Sequence, residues 1–184
     1  MKNTTSDHYD NTSKVFHWIT VVMVLSAFLL GPGDFGQLVD AGVDPGSKLS
    51  IRLHESLGVT IFFMTVLRLL WIAIRPQKPQ HDLSPTLRLL SQTTHIVLWI
   101  LLIATPIAGI IALGSEHNPL TLLAGFRINN LPMISLPFIH ADIDWGEVHK
   151  LMGNAILWLA GIHAAAALYH HYKLKDKVLT SMLP

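Results

Sequence analysis

The stretch WGEVHKLMGNAILWLAGIHAAAALYHHY, Trp145 to Tyr172, decides how the rest of the chain is read. It is apolar over most of its length and carries two histidines, His149 and His163, fourteen residues apart. On an α-helix that spacing puts both within ~40° of one face and about 21 Å apart, most of the way across a hydrocarbon core of ~30 Å. Ionisable or ligating side chains at such depth are costly, so each needs a partner. The rest of the chain is searched for those partners.

Composition agrees with a membrane setting. The chain has 184 residues, enough for one domain, with 51% hydrophobic residues, 14% charged residues and a mean hydropathy of +0.44, values outside those of a soluble domain. A formal charge of +1 gives no reason to expect a nucleic-acid partner. With no cysteine, disulfides, iron–sulfur clusters and thiol catalysis are excluded, so redox chemistry would need another carrier. Eleven histidines supply the ligand type for one, since histidine binds metals and haem iron. Polar residues including Asp7 and Asp10 precede Lys14, and no small-x-small site follows the first apolar run; a short cytoplasmic tail is expected rather than a cleaved signal.

Four apolar segments, at about 15–31, 54–74, 93–114 and 147–170, are long enough or nearly so to cross a bilayer. The expectation is an all-α integral membrane protein, one domain over 1–184, built as a four-transmembrane-helix bundle. The first segment stops at Gly31-Pro32-Gly33. Lys2, Lys14, Arg75, Lys78, Arg88, Lys173, Lys175 and Lys177 would share the side of the termini, against Lys48, Arg52, Arg127 and Lys150 on the other. The positive-inside rule therefore puts both ends in the cytoplasm. The outer segment from Ser115 to Asp144 is broken by Pro119, Pro132 and Pro137; it reads as an interfacial partial lid or as a plain hydrophobic tether.

Depth then sorts the histidines. His17 opens the first helix near the inner side, His54 opens the second near the outer side, His149 is outer on the fourth and His163 inner. Two level pairs result, His17 with His163 and His54 with His149. Bis-histidine pairing between facing helices is what a b-type haem requires, so the pattern predicts a bundle enclosing two haems. Gly58 and Gly153 follow His54 and His149 by four residues, leaving the same helix face bare for a flat macrocycle. A zinc site would want more ligands at one level. Arg68 either pairs with a haem propionate at the inner level or snorkels to the interface. His170 competes with His163 but lies at the aqueous edge. His95 opens the third helix at the inner side, where it either donates to a propionate or a quinone carbonyl or packs at the interface.

These residues resemble the bacterial cytochrome b561 family, which includes a membrane superoxide oxidase and is related to the cytochrome b subunits of nickel–iron hydrogenases. The carriers are FHW at 16–18, LHESLG at 53–58, VLRLLW at 66–71, THIVLWILLIATPIAG at 94–109, GIHAAAALYHHY at 161–172 and KDKVLTSMLP at 175–184. The resemblance implies a four-helix dihaem electron conduit of the inner membrane, with axial ligands at His17, His54, His149 and His163 and with ubiquinone as acceptor. It also implies an outer, periplasmic donor, which in the superoxide oxidase is superoxide. An anion would be steered by a positive outer surface. Here Asp34, Asp40, Asp44, Glu116, Asp142, Asp144 and Glu147 outnumber the outer cations. A non-catalytic anchor and relay subunit for a partner redox protein is the alternative expectation.

Overall fold

A computed structural model describes residues 8–75, 79, 83–132 and 143–183. Four helices are long and apolar enough to cross a membrane: α1 (Asn11–Leu29), α3 (Leu49–Ile74), α4 (Pro85–Ser115) and α5 (Trp145–Tyr169, continued by a π turn through Leu174). The short helix α2 (Phe35–Asp40) and a 3₁₀ turn (Pro45–Ser47) lie between α1 and α3. Strands β1 (Leu120–Thr121) and β2 (Arg127–Ile128) form an antiparallel hairpin after α4.

The helices begin earlier than the apolar runs do. Asp10 caps α1 by accepting from the Ser13 amide, and Ser84 caps α4 ahead of Pro85 at its first turn. Hydropathy marks the part of a helix in hydrocarbon, while capping chemistry extends it into the polar interface. His17, His54 and His95 were expected to open their helices; the structure corrects this, setting each more than a turn inside.

The bundle is built from two closely packed pairs, α1 with α3 and α4 with α5, with α3 against α4 joining them. Ile61, Leu102 and Ile156 form a buried apolar cluster with Met23, Val24, Ala27 and Leu101 packed on it. All four spans contribute, and Ile156 is midway between His149 and His163, so this layer separates the two histidine levels. Leu151, Trp158 and Ile162 on α5 are 60% or more exposed, a surface suited to lipid.

Polar clasps hold the two ends. At the end bearing the termini, Tyr9 N donates to Ser181 O (3.0 Å), and the indole of Trp18 donates to Met182 O (3.0 Å). The Trp71 indole donates to Asp10 (2.9 Å) and Arg75 to the Ser13 hydroxyl (3.0 Å). The first and last described segments thus meet at one end of the bundle. Burial pushes the Asp10 carboxyl up, but hydrogen bonds from Ser13 and Trp71 outweigh it and hold the group below its ordinary value.

At the opposite end the β-hairpin is tied down on α3. Glu55, buried in the bundle, accepts from the Thr121 amide, and the Ser56 hydroxyl accepts from the Leu123 amide (2.9 Å). Arg127 pairs with Asp44 and Lys48 with Asp34. Part of the expected lid is therefore a hairpin; its continuation through 133–142 lies outside the described residues.

Candidate functional site

His54 and His149 face each other from α3 and α5, ring centroids 5.9 Å apart and planes at 81°. Their Nδ1 atoms lie 2.8 Å from Ala27 O and 2.9 Å from Thr105 O. A carbonyl only accepts, so both rings carry the proton on Nδ1 and keep the Nε2 lone pair for another group. Fixing the tautomer from behind is how proteins aim an imidazole at a metal.

A cavity of about 600 Å³ adjoins this pair, lined by Val24 and Phe28 of α1, Gly58 of α3, Leu113 of α4 and Gly153 of α5. A methyl group built on Gly58 or Gly153 would meet nothing within 4 Å. The glycines that follow the two histidines by four residues therefore leave open room beside the pair.

The second level is more crowded. His17 and His163 have ring centroids 6.3 Å apart with planes at 69°. His95 of α4 stands edge-on to His163 at 5.1 Å, its Nδ1 bonded to Ser91 O (2.7 Å). It thus belongs to the histidine cluster and not to the outer surface of the bundle. Arg68 reaches the same level: its guanidinium lies 3.3 Å from His17 Nδ1. His170 is engaged by Asp176 at the start of the π turn and stays apart from the cluster.

Whether these residues suit a haem can be checked from the rings themselves. A metal ion held between two imidazole nitrogens at ~2 Å each keeps the ring centroids about 6 Å apart. Both level pairs meet that spacing. The 5.1 Å separation of His95 and His163 is shorter than it. Among the described residues no group of three or more histidine or acidic side chains is placed to hold a metal ion by itself. Two imidazoles, a bare glycine face and an apolar cavity fit a macrocycle that brings its own four nitrogens.

Glu55 is the site feature that sequence reasoning passed over. It borders the cavity beside His54 and fastens the hairpin above it. A carboxylate in an apolar helix was the available signal, but its partner amide is 66 positions away in sequence.

Comparison with known proteins bears directly on this arrangement. The chain is 28% identical over 181 residues to "Cytochrome b561 homolog 2" of Escherichia coli, covering 97% of this chain and 93% of that one. It is 29% identical over 177 residues to "Probable superoxide oxidase CybB" of Yersinia pestis, covering 91% of each. A second Escherichia coli protein, "Cytochrome b561 homolog 1", is 24% identical over 187 residues, 97% of this chain and 98% of its own. The profile of the prokaryotic cytochrome b561 family matches residues 8–184, and with the four-helix architecture this makes the chain a member of that family of haem b membrane electron-transfer proteins.

Proposed function

We propose that the protein is a transmembrane dihaem cytochrome that carries electrons from a periplasmic donor to ubiquinone in the bacterial inner membrane, with both termini cytoplasmic. The observation that carries this reading is the pair of facing imidazole sets at two depths of α5. His54 and His149 would hold the outer haem, and His17 and His163 the inner one. When bound, each haem supplies reversible one-electron transfer. The chain contributes position, burial and the apolar layer around Ile61, Leu102 and Ile156 between the levels.

Arg68 and His95 complete the inner level. A ligating His17 binds iron through Nε2 and keeps its proton on Nδ1, where it would meet the donating guanidinium of Arg68. Arg68 would hold an inner haem propionate instead, which would give the buried cation an anionic partner. His95, bonded through Nδ1 to Ser91 O, is assigned to the quinone carbonyl or a propionate.

The experiment is a dithionite-reduced minus oxidised spectrum with a pyridine haemochrome count. Two b haems per chain are expected; a colourless protein, or one haem, overturns the reading.

For the donor, the name of the Yersinia pestis relative suggests superoxide. Two superoxide anions would become two dioxygen molecules while ubiquinone takes two electrons and two protons to give ubiquinol. Stopped-flow mixing of superoxide with the protein and a quinone analogue tests this, and decay no faster than in buffer sinks it. A second reading is favoured by Glu116, Asp144 and Glu147, which rim the outer cavity with Lys150 as the one cation lining it among the described residues. In that case the chain anchors and relays for a basic partner protein on the outer side. Cross-linking that returns this chain alone overturns that version.

A further inference from the structure

Neither level pair takes a histidine from α4, yet α4 packs its backbone closely against one of them. The Nδ1 of His149 donates to Thr105 O at 2.9 Å. One turn further along α4, a methyl group on Gly109 would stand 2.9 Å from that same Nδ1 and 3.0 Å from Cε1. Both contacts are well inside the ~3.5–4.0 Å optimum for non-bonded heavy atoms, so they are repulsive. What would have to yield is a ring held at both ends, by the α5 backbone and by the Thr105 carbonyl. The imidazole therefore rests against bare α4 backbone, and no other residue type at position 109 leaves that space.

The turn between these residues departs from ordinary helix in two further respects. Pro106 has no amide, so the Leu102 carbonyl lacks its usual donor four residues on. Thr20, Thr60, Thr65 and Thr94 each donate their hydroxyl to the carbonyl four residues back. The Thr105 hydroxyl, in a residue 9% exposed, does not, and it is buried without a hydrogen-bond partner among the described residues. The 105–109 turn is thus built to face the outer cavity rather than to satisfy its own helix.

We propose that the Thr105–Gly109 turn of α4 is the positioning element of the outer haem site. The Thr105 carbonyl fixes the tautomer of His149, and Gly109 fixes its rotation, so α4 sets the angle between the two axial imidazole planes. The inference rests on His54 and His149 being an axial pair. A hydrogen bond behind a ligating imidazole also raises its basicity, which links the turn to the reduction potential.

Gly109→Ala in the full-length holoprotein tests this by electron paramagnetic resonance of the ferric protein together with a potentiometric titration. The g values of low-spin ferric haem respond to the angle between the axial planes, 81° at this pair. In Gly109→Ala one low-spin signal moves and one redox step shifts, while the other signal and step hold. Gly161→Ala adds the same methyl on α5 where nothing lies within 4 Å, and it leaves both signals in place. Two unmoved signals in Gly109→Ala overturn the proposal.

If Gly109→Ala accumulates without haem, the wild type decides. In dithionite-reduced protein labelled with ¹⁵N-histidine, the His149 ring N–H resists exchange with deuterium oxide, and rapid exchange there overturns the proposal. A wild-type protein without two haems overturns the axial assignment itself, a separate failure that the haem count detects.

Discussion

The outer and inner histidine levels share α5 as one wall, but they are built from different materials. At the outer level both rings are held by main-chain carbonyls, Ala27 O and Thr105 O, beside a roomy cavity with two glycines. At the inner level the neighbours are side chains: Arg68 lies against His17 and His95 against His163. A carbonyl in a helix cannot change charge or swing away, whereas a guanidinium or an imidazole can do one or both. The outer level is therefore geometrically fixed, and the inner level can adjust to what occupies it. On the proposed function, an entry site with one task and an exit site serving a quinone and its protons would be expected to differ in this way.

The largest test of the comparison removes the shared wall. His149→Ala and His163→Ala should each cost one haem per chain, from different levels, and the double variant should cost both; His17→Ala and His54→Ala should cost one each. Pyridine haemochrome counts measure this, and full haem content in any single variant refutes that ligand. Next in size is the glycine face. Gly153→Leu fills open space at the outer level, and a cost of about 1–3 kcal/mol translates to roughly five- to hundredfold in haem affinity. The loss should fall on the outer haem alone; an equal loss at both levels would erase the distinction.

Arg68→Leu acts on the other level. A cation near an iron favours the reduced state, so its removal should lower one midpoint potential by about 50 mV, near 1 kcal/mol for one electron, and slow quinone reduction. If both potentials move equally, Arg68 does not belong to the inner level. The smallest effect concerns the clasp between the termini. The Asp10 carboxyl is held below its ordinary value, so its stabilisation is complete above that value and disappears as pH falls through the depressed one. Thermal unfolding of wild type should weaken in that acid window, and Asp10→Asn should flatten the dependence.

What the sequence revealed follows from how each feature is encoded. Depth along a helix is a linear function of residue number, so His149 and His163, and through them His17 and His54, could be sorted without coordinates. Glycines on the same helix as a ligand were visible by their spacing, as with Gly58 and Gly153. Gly109 has the same function of making room, but it faces a histidine forty positions away on another helix, and no period connects them. Glu55 and Thr121 are linked through the hairpin in the same long-range way. The partner of Arg68 was also hidden, because a long cationic side chain can reach several places and only packing selects one.

The division of the bundle into α1 with α3 and α4 with α5 has a consequence for biogenesis. Both histidine pairs bridge this seam, with α5 on one side and α1 or α3 on the other. A prosthetic group that binds across the seam would also rivet the two halves together, stabilising the folded chain by an amount that grows with the logarithm of its free concentration. In a cell short of haem, this protein should be cleared by membrane proteolysis before it is merely inactive, so its abundance would report porphyrin availability.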